Sequence, residues 1–262
     1  MLSQLVTDAS LLPGYELLKY SPSNEVLRAC LNTSDGSWPV ICKRSRAVGV
    51  IAYLAGLMRG SRARRNAARA LRLMELGIPT AKPLFVLERG LHESWLVTTQ
   101  IDDPIDLDQL LLGQPGSLPA ARGRGLKWTL IRRIVELLLR MQRAGLSHRD
   151  FKAPNLLISG WRDNPQDLCI WLVDLDGLCG LGRMMSSRRL EPLARLAASL
   201  RHHSTVTRTD RLRALLCYLD KSDSGRQAWK AAFRRVARLA ERHHRQPRAD
   251  SRDRIASYSG ER

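Results

Sequence analysis

The sequence predicts an α+β fold in two parts, a small antiparallel sheet carrying one helix over 14–101 and a mainly helical part over 102–245. Three observations predict it: short extended runs fill the first hundred positions, a single helical run interrupts them, and helical periodicity then dominates apart from one hairpin pattern. With 262 residues, 44% of them hydrophobic, the chain is long enough to bury a core of that kind.

The first extended runs are YELLKY, EVLRACL and PVICKR, separated by the turn-rich SPSN and NTSDGS, so three consecutive strands are expected. A helix is expected over 61–76, with Ala63, Ala67, Ala70, Leu71 and Met74 on one face and Gly77 with Pro79 as the stop. PLFVLERG and SWLVTTQI flank a turn at 90–93 and complete a five-stranded sheet. The polar stretch 100–106 reads as a connector. Beyond it, 126–143 places Leu130, Ile134, Leu137, Leu138 and Met141 on one stripe and ends at Gly145. NLLIS and LCIWLVD then bracket GWRDNPQD as a hairpin with a long loop, and helical periodicity resumes from about 190 to about 242. Residues 246–262 are polar and aperiodic, the pattern of a disordered tail.

Forty-three Lys and Arg against 25 Asp and Glu leave a net charge of +18, which calls for a polyanionic partner. The basic stretches are not interleaved with aromatics, which make up only 5% of residues, and this argues against a nucleic-acid platform. Nine Lys or Arg and no Asp or Glu fall between Lys43 and Arg72, beside the apolar stretch 47–58. At 12 residues that stretch is too short to span a bilayer, where about 20 are needed, but it could rest on anionic lipid. Five scattered cysteines without CxxC spacing, in a sequence whose start does not read as a secretory signal, point to reduced thiols and a cytoplasmic location.

The segment HRDFKAPN, residues 148–155, follows an amphipathic helix and precedes a strand, the context of a kinase catalytic loop. Phosphoryl transfer asks for an in-line hydroxyl, a clamped triphosphate and cations that neutralise the moving group. Asp150 is placed to take the acceptor's proton, Lys152 to meet the γ-phosphate, and Asn155 to offer a carbonyl oxygen to Mg²⁺. In LVDLDG, Asp174 stands where a second metal ligand is needed, with Asp176 as its competitor. Lys43 ends the third strand, from which a lysine reaches the α- and β-phosphates of ATP. The loop holding Ser21, Ser23 and Asn24 could cover phosphates, although it lacks glycines.

With these residues in place, the chain resembles the lipopolysaccharide core sugar kinases of the Kdo/WaaP family, which have an atypical protein-kinase-like fold. The likeness rests on SPSNEVLRA, VICKR, SRARRNAARALRLMELGIPTAKPL, WLVTTQI, SHRDFKAPNLLI and LVDLDGL, in the family's order. The resemblance implies a two-lobed protein-kinase-like fold, ATP and Mg²⁺ as cofactors, and a lipid-linked Kdo or heptose hydroxyl as acceptor. It also implies a place on the inner membrane surface and adds Gln100 and Ile101, at the end of WLVTTQI, to the nucleotide-contacting positions.

Two features depart from the kinase pattern. A kinase helix presents a glutamate to the strand lysine, whereas this helix has Asn66, and Glu75 is about 100° of rotation from the apolar face. GLCGLGRMMSSRRLEP lacks an APE-like end, which disfavours a peptide substrate. An aminoglycoside-phosphotransferase-like small-molecule kinase and a pseudokinase or scaffold binding an anionic partner remain as alternatives.

Overall fold

Strands β1 (Glu16–Ser21), β2 (Asn24–Thr33) and β3 (Gly36–Arg46) form an antiparallel meander joined by the two turns that the sequence marks. The computed structural model describes residues 15–34, 36–46, 60–90, 93–112, 120–162, 167–180, 189–220 and 228–245. Strands β4 (Pro83–Arg89) and β5 (Glu93–Thr99) complete a five-stranded sheet of order β1-β2-β3-β5-β4. Side chains alternate between faces along a strand. Leu27, Ala29, Val40, Cys42, Trp95 and Val97 therefore gather on one face as its core, while Lys43 lies in register with Val26 and Leu96 on the other. Arg44 shares the core face, over the Trp95 ring at 4.8 Å, where Glu93 and Glu25 hold its guanidinium.

Helix α1 (Arg62–Glu75) follows the sheet's third strand, and its Ala63 N–H donates to Ser94 Oγ on β5. Its inward face differs from the expected one. Ala63, Asn66, Ala70 and Leu73 are buried, whereas Leu71 and Met74 are 51% and 39% exposed. Ala63 and Ala70 belong to both faces, and Asn66 and Leu73 take the inward places expected of Leu71 and Met74. The helix ends in a Schellman turn: Ile78 N–H donates to Leu73 C=O, Gly77 N–H donates to Met74 C=O, and Gly77 takes φ +64°.

The described residues divide into two units. One holds those up to Arg72 and Ala81–Gln100; the other holds Leu73–Thr80 and those from Ile101 onward. In the second unit the expected connector ends in a short strand, β6 (Ile105–Asp106), followed by α2 (Leu107–Leu112). Helix α3 (Ala120–Arg143) buries Leu130, Ile134, Leu137, Leu138 and Met141, as its stripe requires. Full burial of each such side chain is worth about 1.5–3 kcal/mol.

After β7 (Leu146–His148), the chain forms β8 (Leu156–Ser159) and β9 (Cys169–Leu172). The expected hairpin is thus part of a three-stranded sheet, because β6 pairs Ile105 with Ile158. Strand β10 (Leu178–Gly180) pairs with β7. Helices α4 (Glu191–Ser199), α5 (Arg208–Asp220) and α6 (Trp229–Arg245) follow. Helix α5 starts in a capping box, with Asp210 N–H on Thr207 Oγ1 and Thr207 N–H on Asp210 Oδ2. The expected lipid-resting stretch 47–58, the tail 246–262, residues 181–188 of the segment after β10, and the N-terminal stretch 1–14 lie outside the described residues.

Candidate active site

The catalytic-loop segment is anchored by alternate residues. Phe151, Ala153 and Leu156 have no exposed surface and Asn155 has 6%, while Ala153 N–H donates to Ser199 Oγ on α4. Burial of 151 and 153 turns the intervening side chains outward, leaving Asp150 29% and Lys152 41% exposed and paired at 2.9 Å. A 3-10 turn, Ala153–Asn155, with Pro154 in its first turn, brings the chain round so that Asn155 Nδ2 donates to Asp150 C=O at 2.8 Å. The same nitrogen lies 3.4 Å from Asp150 Oδ2. With the amide nitrogen committed to Asp150, the Asn155 side chain offers its carbonyl oxygen as the remaining donor atom.

The β7–β10 pairing sets His148 opposite Leu178 and closes Arg149 N–H on Gly177 C=O. His148, 1% exposed, is the hub of this arrangement. Its Nδ1 accepts the Asp150 N–H at 3.2 Å, so Nε2 carries the proton and donates to the Asp174 carbonyl at 3.1 Å. Burial lowers the His148 pKa, outweighing the opposing pull of Asp174 and Asp150. Neutrality is what the geometry needs, since a protonated Nδ1 would face a backbone donor. Gly177 is held to a hydrogen by the same ring: a Cβ there would sit 2.6 Å from His148 Cε1.

Asp174 is exposed and has φ 57° and ψ 62°, a left-handed conformation that a non-glycine residue keeps only where its surroundings enforce it. The enforcement is visible: Val173 N–H donates to Asn155 C=O on one side, and His148 holds the Asp174 carbonyl on the other. Asp176 sits half-buried in the 3-10 turn Leu175–Gly177. Asp150, Lys152, Asn155 and Asp174 thus belong to one hydrogen-bonded assembly within the second unit. His148 and Gly177 are its unforeseen members; the signal for both lay in the HxD and DxxG spacings, which put a ring beside two backbone turns.

In the first unit, Lys43 stands in the middle of the sheet, half-buried. The loop between β1 and β2 uses its hydroxyls on itself. Ser21 Oγ accepts the Asn24 N–H and also donates to the Asn24 C=O, while Asn24 Nδ2 donates to Ser23 Oγ. Ser45 Oγ and Arg62 Nη1 both donate to Asn24 Oδ1, and Arg46 N–H donates to Ser23 C=O. Side chains therefore shape this turn, where phosphate-binding loops use glycine. Arg62, from the first turn of α1, is a cation at this loop that strand-and-turn reading passed over. Asn66 is buried and accepts from Arg69 Nη1. Gln100 N–H donates to Pro39 C=O, its Oε1 is buried without a hydrogen-bond partner, and Ile101 is 8% exposed.

Among the described residues no three His, Cys, Asp or Glu side chains cluster as a metal site. The donor set that the catalytic loop and the β9 end do supply, carboxylates and an amide oxygen, is hard and all-oxygen, which fits Mg²⁺ completed by phosphate oxygens.

The family model described as "Lipopolysaccharide kinase (Kdo/WaaP) family" matches residues 52–218. No curated protein matches the chain. Among solved structures, "WaaP in complex with acyl carrier protein" aligns over 90% of this chain and 90% of that one, with 23% identity and a TM-score of 0.61. A BubR1 kinase domain aligns over 63% of this chain and 46% of that one, with 12% identity and a TM-score of 0.48. The two-part α+β architecture is thus shared with that WaaP structure.

Proposed function

The chain belongs to the lipopolysaccharide kinase (Kdo/WaaP) family, and from that premise we propose that it moves the γ-phosphate of ATP to a Kdo or heptose hydroxyl of the lipopolysaccharide inner core. One kinase-like domain does this, with 14–101 holding nucleotide and 102–245 carrying the chemistry. The observation that carries the proposal is the His148 link, which ties Asp150 and Asp174 to the two ends of one imidazole.

Asp150 accepts the proton of the acceptor hydroxyl as its oxygen bonds to the γ-phosphorus, and the bond to the leaving ADP oxygen breaks. Lys152, paired with Asp150 at 2.9 Å, offers its ammonium to the γ-phosphate oxygens. Asn155 and Asp174 hold Mg²⁺, which when bound neutralises the phosphate charge. Asp174 is preferred to Asp176 because His148 and Asn155 fix its backbone on both sides. Lys43 meets the α- and β-phosphates, the turn of Ser21, Ser23 and Asn24 covers them, and Gln100 and Ile101 face the base. Labelled ATP with a panel of core lipopolysaccharides, aminoglycosides and proteins tests this. Label on the inner core alone, lost in Asp150→Ala and Asp174→Ala, is expected; label on aminoglycosides, or wild-type turnover in either variant, overturns it.

A lipid-linked acceptor requires approach to a membrane. Among the described residues no helix is long and apolar enough to cross one, and α6 presents exposed Lys230, Arg234, Arg238 and Arg242 at four-residue intervals. Such a row favours anionic lipid by about 1 kcal/mol per charge near the surface. Flotation with phosphatidylglycerol but not phosphatidylcholine vesicles is the expected result, and equal behaviour in both refutes it.

An acyl carrier protein is a second candidate partner. The helical unit contains a cavity of about 620 Å³ lined by side chains that include Leu111, Ile134, Ala197, Leu215, Phe233 and Val236, apolar enough for an acyl chain. Acylated carrier protein should bind more tightly than the unacylated form, and Ala197→Trp should erase the difference.

A further inference from the structure

The GIPT segment after α1 has no part in the chemistry above, yet the structure joins it to the metal-binding end of β9. Leu172, the last residue of that strand, has no exposed surface. Its N–H donates to the Pro79 carbonyl at 2.9 Å, and its carbonyl accepts the Thr80 hydroxyl at 2.8 Å. Both main-chain polar groups of the residue two places before Asp174 are therefore held by residues 79 and 80.

The segment that holds them is itself fixed. Ile78 is 1% and Thr80 6% exposed. Gly77 and Ile78 close the Schellman turn on α1, and Arg140 Nη1 on α3 donates to the Gly77 carbonyl at 3.1 Å. A buried carbonyl that loses a donor keeps the desolvation cost and no longer has its orientation held at that end. Tilt of the 172–173 peptide is felt at the site, because the Val173 N–H of that same peptide donates to Asn155 C=O and the Asp174 C=O is held by His148.

We infer that Thr80 is a positioning residue for Asp174: its hydroxyl sets the peptide plane from which the left-handed Asp174 directs its carboxylate at the metal. The inference rests on Asp174 being the metal ligand. The hydroxyl, and not only the shape of the side chain, is what the geometry requires, which distinguishes Thr80 from the packing residues Leu73 and Ile78.

The test compares Thr80→Val, of similar shape but without the hydroxyl, with Thr80→Ser, which keeps it. Mg²⁺ binding is measured calorimetrically in the presence of a non-hydrolysable ATP analogue, alongside thermal unfolding. Thr80→Val should weaken Mg²⁺ binding about tenfold while Thr80→Ser stays within about threefold of wild type, the cost expected of one lost buried hydrogen bond. A lower melting temperature in Thr80→Val with unchanged Mg²⁺ affinity would show that Thr80 only packs. A second measurement uses the unaltered protein: amide exchange at 77–80 should slow together with 172–176 when Mg²⁺ and the analogue bind, and unchanged exchange at 77–80 overturns the inference even if Thr80→Val does not fold. Asp174→Asn separates the two ideas, since wild-type Mg²⁺ affinity in that variant removes the metal-ligand reading itself.

Discussion

Gly177→Ala is the smallest change that should dismantle the site without touching a reacting group. The added methyl would stand 2.6 Å from His148 Cε1, 2.9 Å from Nδ1 and 3.1 Å from the Asp150 nitrogen. None of these can withdraw cheaply, because His148 is buried and bonded at both nitrogens and the third atom is backbone. Overpacking of this kind costs about 1–3 kcal/mol, and loss of the two imidazole bonds adds roughly 1 kcal/mol each. Unfolding in denaturant should therefore show a loss of about 3–5 kcal/mol. If about 2 kcal/mol of that falls on the alignment of Asp150 and Asp174, phosphotransfer drops roughly thirtyfold, at about 1.4 kcal/mol per tenfold. Gly180→Ala, three residues on, meets nothing within 4 Å and serves as the control. Wild-type stability and turnover in Gly177→Ala would refute the role given to His148.

Gly125 lies within α3 with open space where a Cβ would go, so Gly125→Ala should raise stability by about 0.5–1 kcal/mol, read as a higher denaturation midpoint with activity unchanged. Thr207→Ala removes the cap of α5 and should cost about 1 kcal/mol in the same assay. Asp210 in that capping box is partly desolvated, but bonds from Thr207 and Lys127 outweigh this and lower its carboxyl pKa. The unfolded carboxyl then binds protons first, so the contribution is complete above the ordinary value of 3.8 and is lost as pH falls through the lower folded value. Asp210→Asn should flatten this part of the acid-unfolding curve, and an unchanged acid limb would contradict the assignment.

Where turn chemistry and strong periodicity coincided, the fold was legible. SPSN and NTSDGS bounded β1–β3, and the Leu130–Met141 stripe matched the buried face of α3. What was missed was short, non-local or set by packing. Two residues are too few to show a strand period, so β6 emerged only through its pairing with Ile158. In α1 the expected stripe held Leu71 and Met74, which are exposed, and left out Leu73, which is buried. At the site, HRDFKAPN announced residue types and spacing, but the part played by His148 depends on Asp174, 26 positions away, and on β10 reaching back to β7. Thr80 and Leu172, 92 positions apart, left no sequence signal beyond the GIPT motif.

The claim at the centre is that Asp150, Asn155 and Asp174 serve one nucleotide bound through a divalent cation. Calorimetric titration of the protein with ATP, with and without Mg²⁺, tests it most directly. Uptake that requires Mg²⁺ in the wild type and is lost in Asp174→Ala is the predicted result. Equal uptake with and without Mg²⁺, or no nucleotide uptake at all, would contradict it.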